Sequence, residues 1–158
     1  MKNSITIKWN ELQQQIDLRN YYMGESVKRK DNNADTIQSS KDDEELFLMF
    51  AHNACNELVT AVALRFPSIG YTIEGNDITF TFETPDDTRS HLLPMLTQAI
   101  KDYLVNEMTM QWLLLRQPNL AQTYISLRGN LNSNVQFMFA KFYNRERRRR
   151  RATDLAGI

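Results

Sequence analysis

Residues 92–116 read LLPMLTQAIKDYLVNEMTMQWLLLR, and their apolar side chains recur at the three- and four-residue spacing of an α-helix. The members of this pattern are Leu92, Leu93, Leu96, Ile100, Leu104, Met108 and Leu115, with Tyr103 and Trp112 adding apolar width. Upstream, residues 84–87 (TPDD) predict a helix start, because a hydroxyl cap, a first-turn proline and two acids all suit a helix N-terminus. Pro94 lies too deep for that first turn, so we expect a kink near Ser90 or a break into two pieces, with a helix ending near Arg116.

Two further helices flank this stretch in the chain. Residues 42–66, DDEELFLMFAHNACNELVTAVALRF, carry an apolar stripe that predicts a helix over about 43–65. After Pro118, apolar side chains follow a heptad-like spacing that Arg128 and Gly129 interrupt; they are Ala121, Tyr124, Leu131, Val135, Met138 and Phe142. About thirty residues of helix would be on the order of 45 Å long, and such long apolar stripes predict burial against partner chains.

Between the helices predicted at 43–65 and 92–116, residues 71–83 read YTIEGNDITFTFE. This stretch predicts a β-hairpin that turns at Gly75-Asn76-Asp77. Ile78, Phe80 and Phe82 fall on one face of its second strand. An isolated hairpin is only marginally stable, so we expect helices or a neighbouring subunit to cover that apolar face.

The N-terminal segment is more polar than the rest of the chain. A strand-like Ile5-Thr6-Ile7 precedes a short helix predicted over about 8–22, and residues 31–42 form a polar linker. Trp9 is a candidate anchor that clasps a neighbouring subunit. We therefore divide the chain into an N-terminal arm (1–42), a helical body with the hairpin (43–144) and an arginine-rich tail (145–158). The predicted fold is mainly α, a helical bundle of long amphipathic helices with one β-hairpin and extended arms at both ends.

Charge is distributed unevenly along a chain of 158 residues whose formal net charge is zero. Residues 141–158 contain seven basic and two acidic residues, so the tail carries +5 and residues 1–140 carry −5. The tail cations that follow the last helix are Arg145, Arg147, Arg148, Arg149, Arg150 and Arg151. They could contact nucleic-acid phosphates, dock into an acidic groove of a protein, or form a solvated basic end, and the tail alone does not decide between these.

The sequence predicts no enzyme. We find no nucleophile motif, no phosphate-binding glycine loop and no zinc-protease motif. His52 and Cys55 lie three residues apart, but two ligands do not make a metal site, so we expect no metal and no cofactor. A single cysteine is typical of a reducing compartment, and no run of about 18 consecutive apolar residues predicts a membrane span. We therefore expect a cytoplasmic protein that does not bind membranes.

The order of these elements resembles the head–tail connector, or adaptor, proteins of tailed bacteriophages. The helix at 42–66, the hairpin at 71–83, the long helix at 92–116 and the last helix ending FMFAKFYNRERRRRRA (137–152) carry the resemblance. The short helix with Trp9 has no clear counterpart in the simplest members of that family.

The resemblance implies a non-enzymatic subunit of a homo-oligomeric ring of about twelve copies. Such a ring lies below the portal protein at the head–tail junction of the virion, is assembled in the host cytoplasm, and offers a platform for tail or further connector proteins. DNA passes through its channel without sequence-specific binding. The arginines at 145–151 would then dock onto the portal protein.

The alternative is a small nucleic-acid-binding or DNA-packaging accessory protein that uses the same arginines on phosphates. The acidic body argues against it, because a duplex lying along that body would be repelled.

Overall fold

The computed structural model describes residues 2–28, 43–84 and 90–156, with side chains over 2–23, 43–84 and 91–142. In chain order its elements are β1 (Lys2–Ile7), α1 (Trp9–Lys28), α2 (Glu44–Ala63), β2 (Gly70–Glu74), β3 (Asp77–Glu83), α3 (Leu93–Arg116) and α4 (Gln122–Ala156). Short 3₁₀ turns at Ser90–Leu92 and Pro118–Ala121 precede α3 and α4. The predicted class, mainly helical with a small antiparallel sheet, is confirmed.

Helix α3 is the centre of the fold. Its eight consecutive residues 103–110 are all buried, and α1, α2, α4 and β1 all contact the helix. Trp112 of α3 stacks on Phe47 of α2 at a ring distance of 4.9 Å. The sequence predicts an apolar stripe along one side of α3, but the structure buries the middle of this helix on all sides. That coverage also buries polar side chains, which include Asn106, Glu107 and Thr109.

Helix α3 begins at Leu93. Pro94 lies in the first turn of the helix, where its missing N–H costs no hydrogen bond, and a 3₁₀ turn over Ser90–Leu92 precedes it. The predicted choice between a kink and a break near Ser90 also involves residues 85–89 and stays a prediction. The helix start predicted at Thr84-Pro85 leads into residues 85–89, which lie outside the described residues.

The sheet contains the predicted hairpin and one additional strand. Strands β2 and β3 pair across a two-residue turn in which Gly75 and Asn76 both have positive φ, 56° and 70°. Two positive φ values match the twist of the flanking strands, which explains the Gly-Asn pair there. Strand β1 pairs antiparallel with the other edge of β3, Ile5 opposite Phe80 and Ile7 opposite Ile78, so the strand order is β1-β3-β2.

The apolar face of this sheet packs inside the chain itself. Ile78, Phe80 and Phe82 are at most 2% exposed, and Phe82 makes an edge contact with Phe139 of α4 at 5.1 Å. Trp9 is also buried, and its backbone N–H donates to Asp77 Oδ1 at 3.1 Å. Of the two predicted covers for the hairpin face, the chain's own helices are the one observed for Ile78, Phe80 and Phe82. The assignment of these three side chains and of Trp9 to a subunit contact is corrected, because all four are buried within the chain.

Residues 2–28, predicted as part of an N-terminal arm, likewise belong to the body. Strand β1 completes the sheet, and α1 packs on α3 through a stripe that includes Leu12 and Ile16, both fully buried. Helix α1 also extends to Lys28, beyond the predicted end near residue 22. The polar linker predicted at 31–42 lies outside the described residues.

Helix α4 is continuous over 35 residues, about 52 Å at the helical rise. It packs on α3 and α2, and the last buried side chain described along it is Phe142. The helix continues 14 residues beyond Phe142, so the arginines at 145–151 are part of it. Their side chains are outside the described set.

Candidate functional site

Three charged side chains meet where α2, α3 and α4 come together, and we call them the charge triad: Glu57, Glu107 and Arg128. The Arg128 Nε lies 2.7 Å from Glu107 Oε1. An Arg128 Nη also pairs with Glu57 Oε2. Each helix supplies one member, so the single guanidinium links all three helices across their shared boundary.

The members of the charge triad differ sharply in burial. The side chain of Glu107 is 0% exposed, whereas those of Arg128 and Glu57 are 41% and 47% exposed. Burial raises the pKa of Glu107 to about 7, against the opposing attraction of Arg128. The pKa of the Arg128 guanidinium is raised as well, by its hydrogen bond to Glu57 and by the charge of Glu107, against the opposing effect of burial. With both carboxylates ionised, the charge triad carries one net negative charge.

A solvent-open groove of about 590 Å³, which we call the triad groove, runs between α2 and α4 beside these charges. Glu57, Arg128 and Tyr103 line its polar part. Its apolar part is formed by Ala61, Leu64 and Ile125, and Leu64 and Ile125 are 86% and 40% exposed. Gly129 also lines it, and a Cβ built at that position would meet nothing within 4 Å. The groove therefore offers both a charged and an apolar surface to a ligand.

Two polar groups on α3, the Glu107 carboxyl and the Tyr103 hydroxyl, lie one turn apart beside Arg128, and their oxygens are buried. Burial and the nearby Glu107 charge raise the pKa of Tyr103, against the opposing charge and hydrogen bond of Arg128, so its hydroxyl stays protonated and neutral. Because these oxygens are inaccessible to solvent, a ligand in the triad groove would meet Glu57 and Arg128 rather than them.

The chemistry available at the triad groove follows from the side chains that line it. A carboxyl with a pKa near 7 can exchange a proton at neutral pH, but neither histidine nor cysteine lines the triad groove. Among the described residues there is no group of three or more histidine, cysteine, aspartate or glutamate side chains that could hold a metal ion. What the groove offers is the half-exposed Glu57–Arg128 ion pair and an apolar wall.

The residues selected from the sequence are not brought together by the structure. Trp9, Ile78, Phe80 and Phe82 lie in the core, and the tail arginines lie on the far part of α4. Cys55 is fully buried and burial raises the pKa of its thiol to about 12, while His52 lies 3.4 Å from the Tyr71 hydroxyl. None of these side chains that the structure describes belongs to the charge triad.

The sequence nevertheless contains a signal for the charge triad. Arg128 occupies the inward position of the α4 spacing between Tyr124 and Leu131, where an apolar side chain would otherwise stand. Glu107 interrupts the apolar surface of α3 in the same way. Opposite charges inside two apolar stripes indicate that the two helices pack with those charges paired.

Among the described residues, α2 is long and apolar enough to cross a membrane by length and composition alone. Its apolar stripe faces the core, including Phe47, Phe50 and Leu58, and its other face carries His52 and Glu57. Core helices of folded domains commonly pass the same test, so this finding is weak support for a span.

Comparisons with known proteins show no relatives for this chain: no family model, no curated protein and no solved structure matches it.

Proposed function

We propose that this protein is a structural subunit of a head–tail connector in a tailed bacteriophage. It forms a homo-oligomeric ring of about twelve copies below the portal protein and bridges the portal to tail or further connector proteins. It acts at the head–tail junction of the virion after assembly in the host cytoplasm. It performs no catalysis and lets DNA pass without reading its sequence.

The observation that carries this proposal is helix α4. One uninterrupted helix contributes to the core as far as Phe142 and then continues into the arginines at 145–151. The backbone helix thus connects a body with a net charge of −5 directly to a segment with a net charge of +5. Such a geometry suits docking onto an acidic protein surface, where the planar guanidinium forms paired hydrogen bonds with carboxylates.

The proposal is tested by native mass and negative-stain imaging of the full chain, alone and with the portal protein of the same phage. We expect rings of about twelve subunits, and loss of the portal complex in a chain that ends at Tyr143. A matched control replaces each arginine at 147–151 with lysine, which keeps the charge but removes the planar fork. Neither rings nor a portal complex under any of these conditions would overturn the proposal.

The second candidate function, nucleic-acid binding, is favoured by the same arginines and by nothing in the body. It predicts that affinity for duplex DNA falls by orders of magnitude between low and physiological salt, and that the lysine control binds as well as the native chain. Docking onto carboxylates predicts instead that the lysine control binds its partner poorly.

A further inference from the structure

We propose that the sheet of one copy continues into the sheet of the next, with β2 of one copy pairing parallel to β1 of its neighbour. The inference rests on the proposed function, to which it adds the surface that joins neighbouring copies in the ring. Strands β1 and β2 are the two outer strands of the sheet, so each copy has one edge of each kind.

The outer edge of β2 carries backbone groups that point away from the sheet. A two-residue hairpin closes with a hydrogen-bonded pair, here Glu74 and Asp77, and bonded pairs alternate with non-bonded pairs along an antiparallel ladder. The N–H and C=O groups of Tyr71 and Ile73 therefore point away from β3. Both residues are half-buried, and no described residue supplies a backbone partner for these outward groups.

The outer edge of β1 follows from the same alternation. Ile5 and Ile7 bond to β3, so the N–H and C=O groups of Ser4 and Thr6 point outward, and both of these residues are exposed. Proteins commonly block such edges with a proline or a bulge. Strands β1 and β2 contain no proline, and their pairing with β3 has no bulge. Both edges are therefore able to accept a further strand.

The two edges match each other in direction and in hydrogen bonding. Both strands pair antiparallel with β3, so they run parallel to each other. In a parallel pair, one residue bonds to the two residues that flank the position opposite it. With Thr6 of one copy opposite Thr72 of the next, the Thr6 N–H donates to the Tyr71 C=O. The Thr6 C=O accepts from the Ile73 N–H, so all the groups joined are ones that point outward.

The side chains agree with this register. Ile7 lies beside Ile73, both on the face of the sheet that the helices cover. Lys8, the exposed residue that directly follows β1, lies beside the exposed Glu74 of the neighbouring copy. Unlike charges on adjacent strands stabilise the pairing. The register that satisfies the backbone groups is thus also the one that pairs apolar with apolar and acid with base.

Charge also disfavours the simplest symmetric contact, in which β1 pairs antiparallel with a second β1. The longest such pairing that uses the outward groups places Ser4 opposite Thr6. It then places Lys2 opposite Lys8, and like charges directly opposite each other are destabilising. Pairing β1 with β2 avoids this repulsion.

The helices set the direction in which the joined sheets curve. Helix α3 contacts β1 and α2 contacts β2. Two helices side by side span about 20 Å, whereas three strands span about 14 Å. Neighbouring copies therefore fit together only if the joined sheets curve with the helices on the outside. Repeated in one direction, such a contact gives a ring where the rotation closes.

The first test exchanges the charges across the contact and measures association by sedimentation velocity of the full chain over a range of concentrations. Lys8→Glu and Glu74→Lys each replace the unlike pair with a like pair, so we expect each to weaken association about tenfold. The chain that carries both substitutions has an unlike pair again, and we expect it to associate as the native chain does. Thermal unfolding checks that each variant folds.

The second test blocks one edge. Thr6→Pro removes the outward N–H and places a ring where the neighbouring strand would lie, while every hydrogen bond from β1 to β3 remains. We expect association to weaken about a hundredfold. Thr6→Val is the matched control, because it keeps the N–H and the shape of the side chain, and we expect it to associate as the native chain does.

The third test fixes the register with a disulfide. A chain with Thr6→Cys is mixed with a chain with Thr72→Cys under oxidising conditions, and we expect a covalent dimer of the two. Within one chain β3 separates these positions by about 10 Å, which is too far for a disulfide. Cys55 does not compete, because it is fully buried and burial raises the pKa of its thiol to about 12.

The inference is overturned by any of four results: assembly of Thr6→Pro at native affinity, a double charge exchange that does not restore association, dimers of Thr72→Cys alone in place of the mixed dimer, or a native chain that is monomeric at every concentration. The first three leave the proposed function standing, because rings can be joined through other surfaces. A native chain that is monomeric alone but forms rings on the portal protein removes only the sheet contact. The proposed function itself fails where neither rings nor a portal complex form.

Discussion

Replacing Arg128 with leucine tests how far the charge triad supports the fold. The leucine keeps most of the side chain's apolar volume but removes the only cation paired with Glu107 within the described structure. Removing one partner of a buried ion pair costs about 3–5 kcal/mol, because the remaining carboxyl must either stay ionised without its partner or take up a proton. At pH 8 we expect Arg128→Leu to lower the free energy of unfolding by an amount in that range.

The loss of stability in Arg128→Leu should depend on pH. Whether it grows or shrinks as pH rises is set by the titration of Glu107. Burial raises the pKa of this carboxyl from 4.5 to about 7 while Arg128 opposes the shift, so its loss raises the pKa further. An acid whose pKa is higher in the folded state stabilises that state below its unfolded pKa and loses this contribution as pH rises through the folded pKa. The deficit of Arg128→Leu relative to the native chain should therefore be small at pH 5.5 and grow as pH rises above 7.

The assay is urea unfolding followed by the fluorescence of Trp9 and Trp112, both buried in the native state. Glu57→Gln is the control for an exposed pair and should cost less than about 1 kcal/mol. Adding Glu107→Gln to Arg128→Leu should remove most of the pH dependence. A cost below 1 kcal/mol at pH 8, or one that does not change between pH 5.5 and 8.5, would refute this account of the charge triad.

Three further substitutions test the packing described above, each by urea unfolding. Phe80→Ala should cost about 3–5 kcal/mol because the ring is fully buried between β1 and the helices, whereas Thr79→Ala on the opposite face of the strand should cost little. Asp77→Ala should cost about 1 kcal/mol because it removes the acceptor for the Trp9 N–H at the start of α1, and Asp77→Asn should restore most of the loss. Asn20→Leu should raise stability, by up to about 3 kcal/mol, because both polar atoms of this 1%-exposed amide lack partners among the described side chains; a loss of stability would show that the amide has a partner, such as bound water.

The elements with a clear repeat could be predicted from the sequence. Local sequence patterns predict three elements that the structure contains. They are the apolar stripe ending at Phe66, the Gly75-Asn76 turn and the heptad-like spacing after Pro118. Helix boundaries differ by a few residues, as is normal for fraying ends.

The parts that could not be predicted depend on contacts between distant residues. The strand-like Ile5-Thr6-Ile7 is compatible with many pairings, and only the tertiary fold places it beside β3. The long apolar stripes likewise suggested burial in partner chains, because periodicity does not tell whether a helix is covered on one side or on all sides. Spacing alone marks Arg128 as an interruption of an apolar stripe, and only the packing of α4 on α3 shows that it forms an ion pair with buried Glu107.

The position of β1 has a consequence for how the protein is made. Lys2 pairs with Glu83 and Ile7 with Ile78, so the partners are separated by 71 to 81 residues. During synthesis the N-terminal strand leaves the ribosome first and stays without its partner until β3 has followed it. Closing so long a loop is slow compared with forming the α3–α4 helical hairpin, whose contacts are local. Of the three strands, the one that is synthesised first is thus the last to find its place in the sheet.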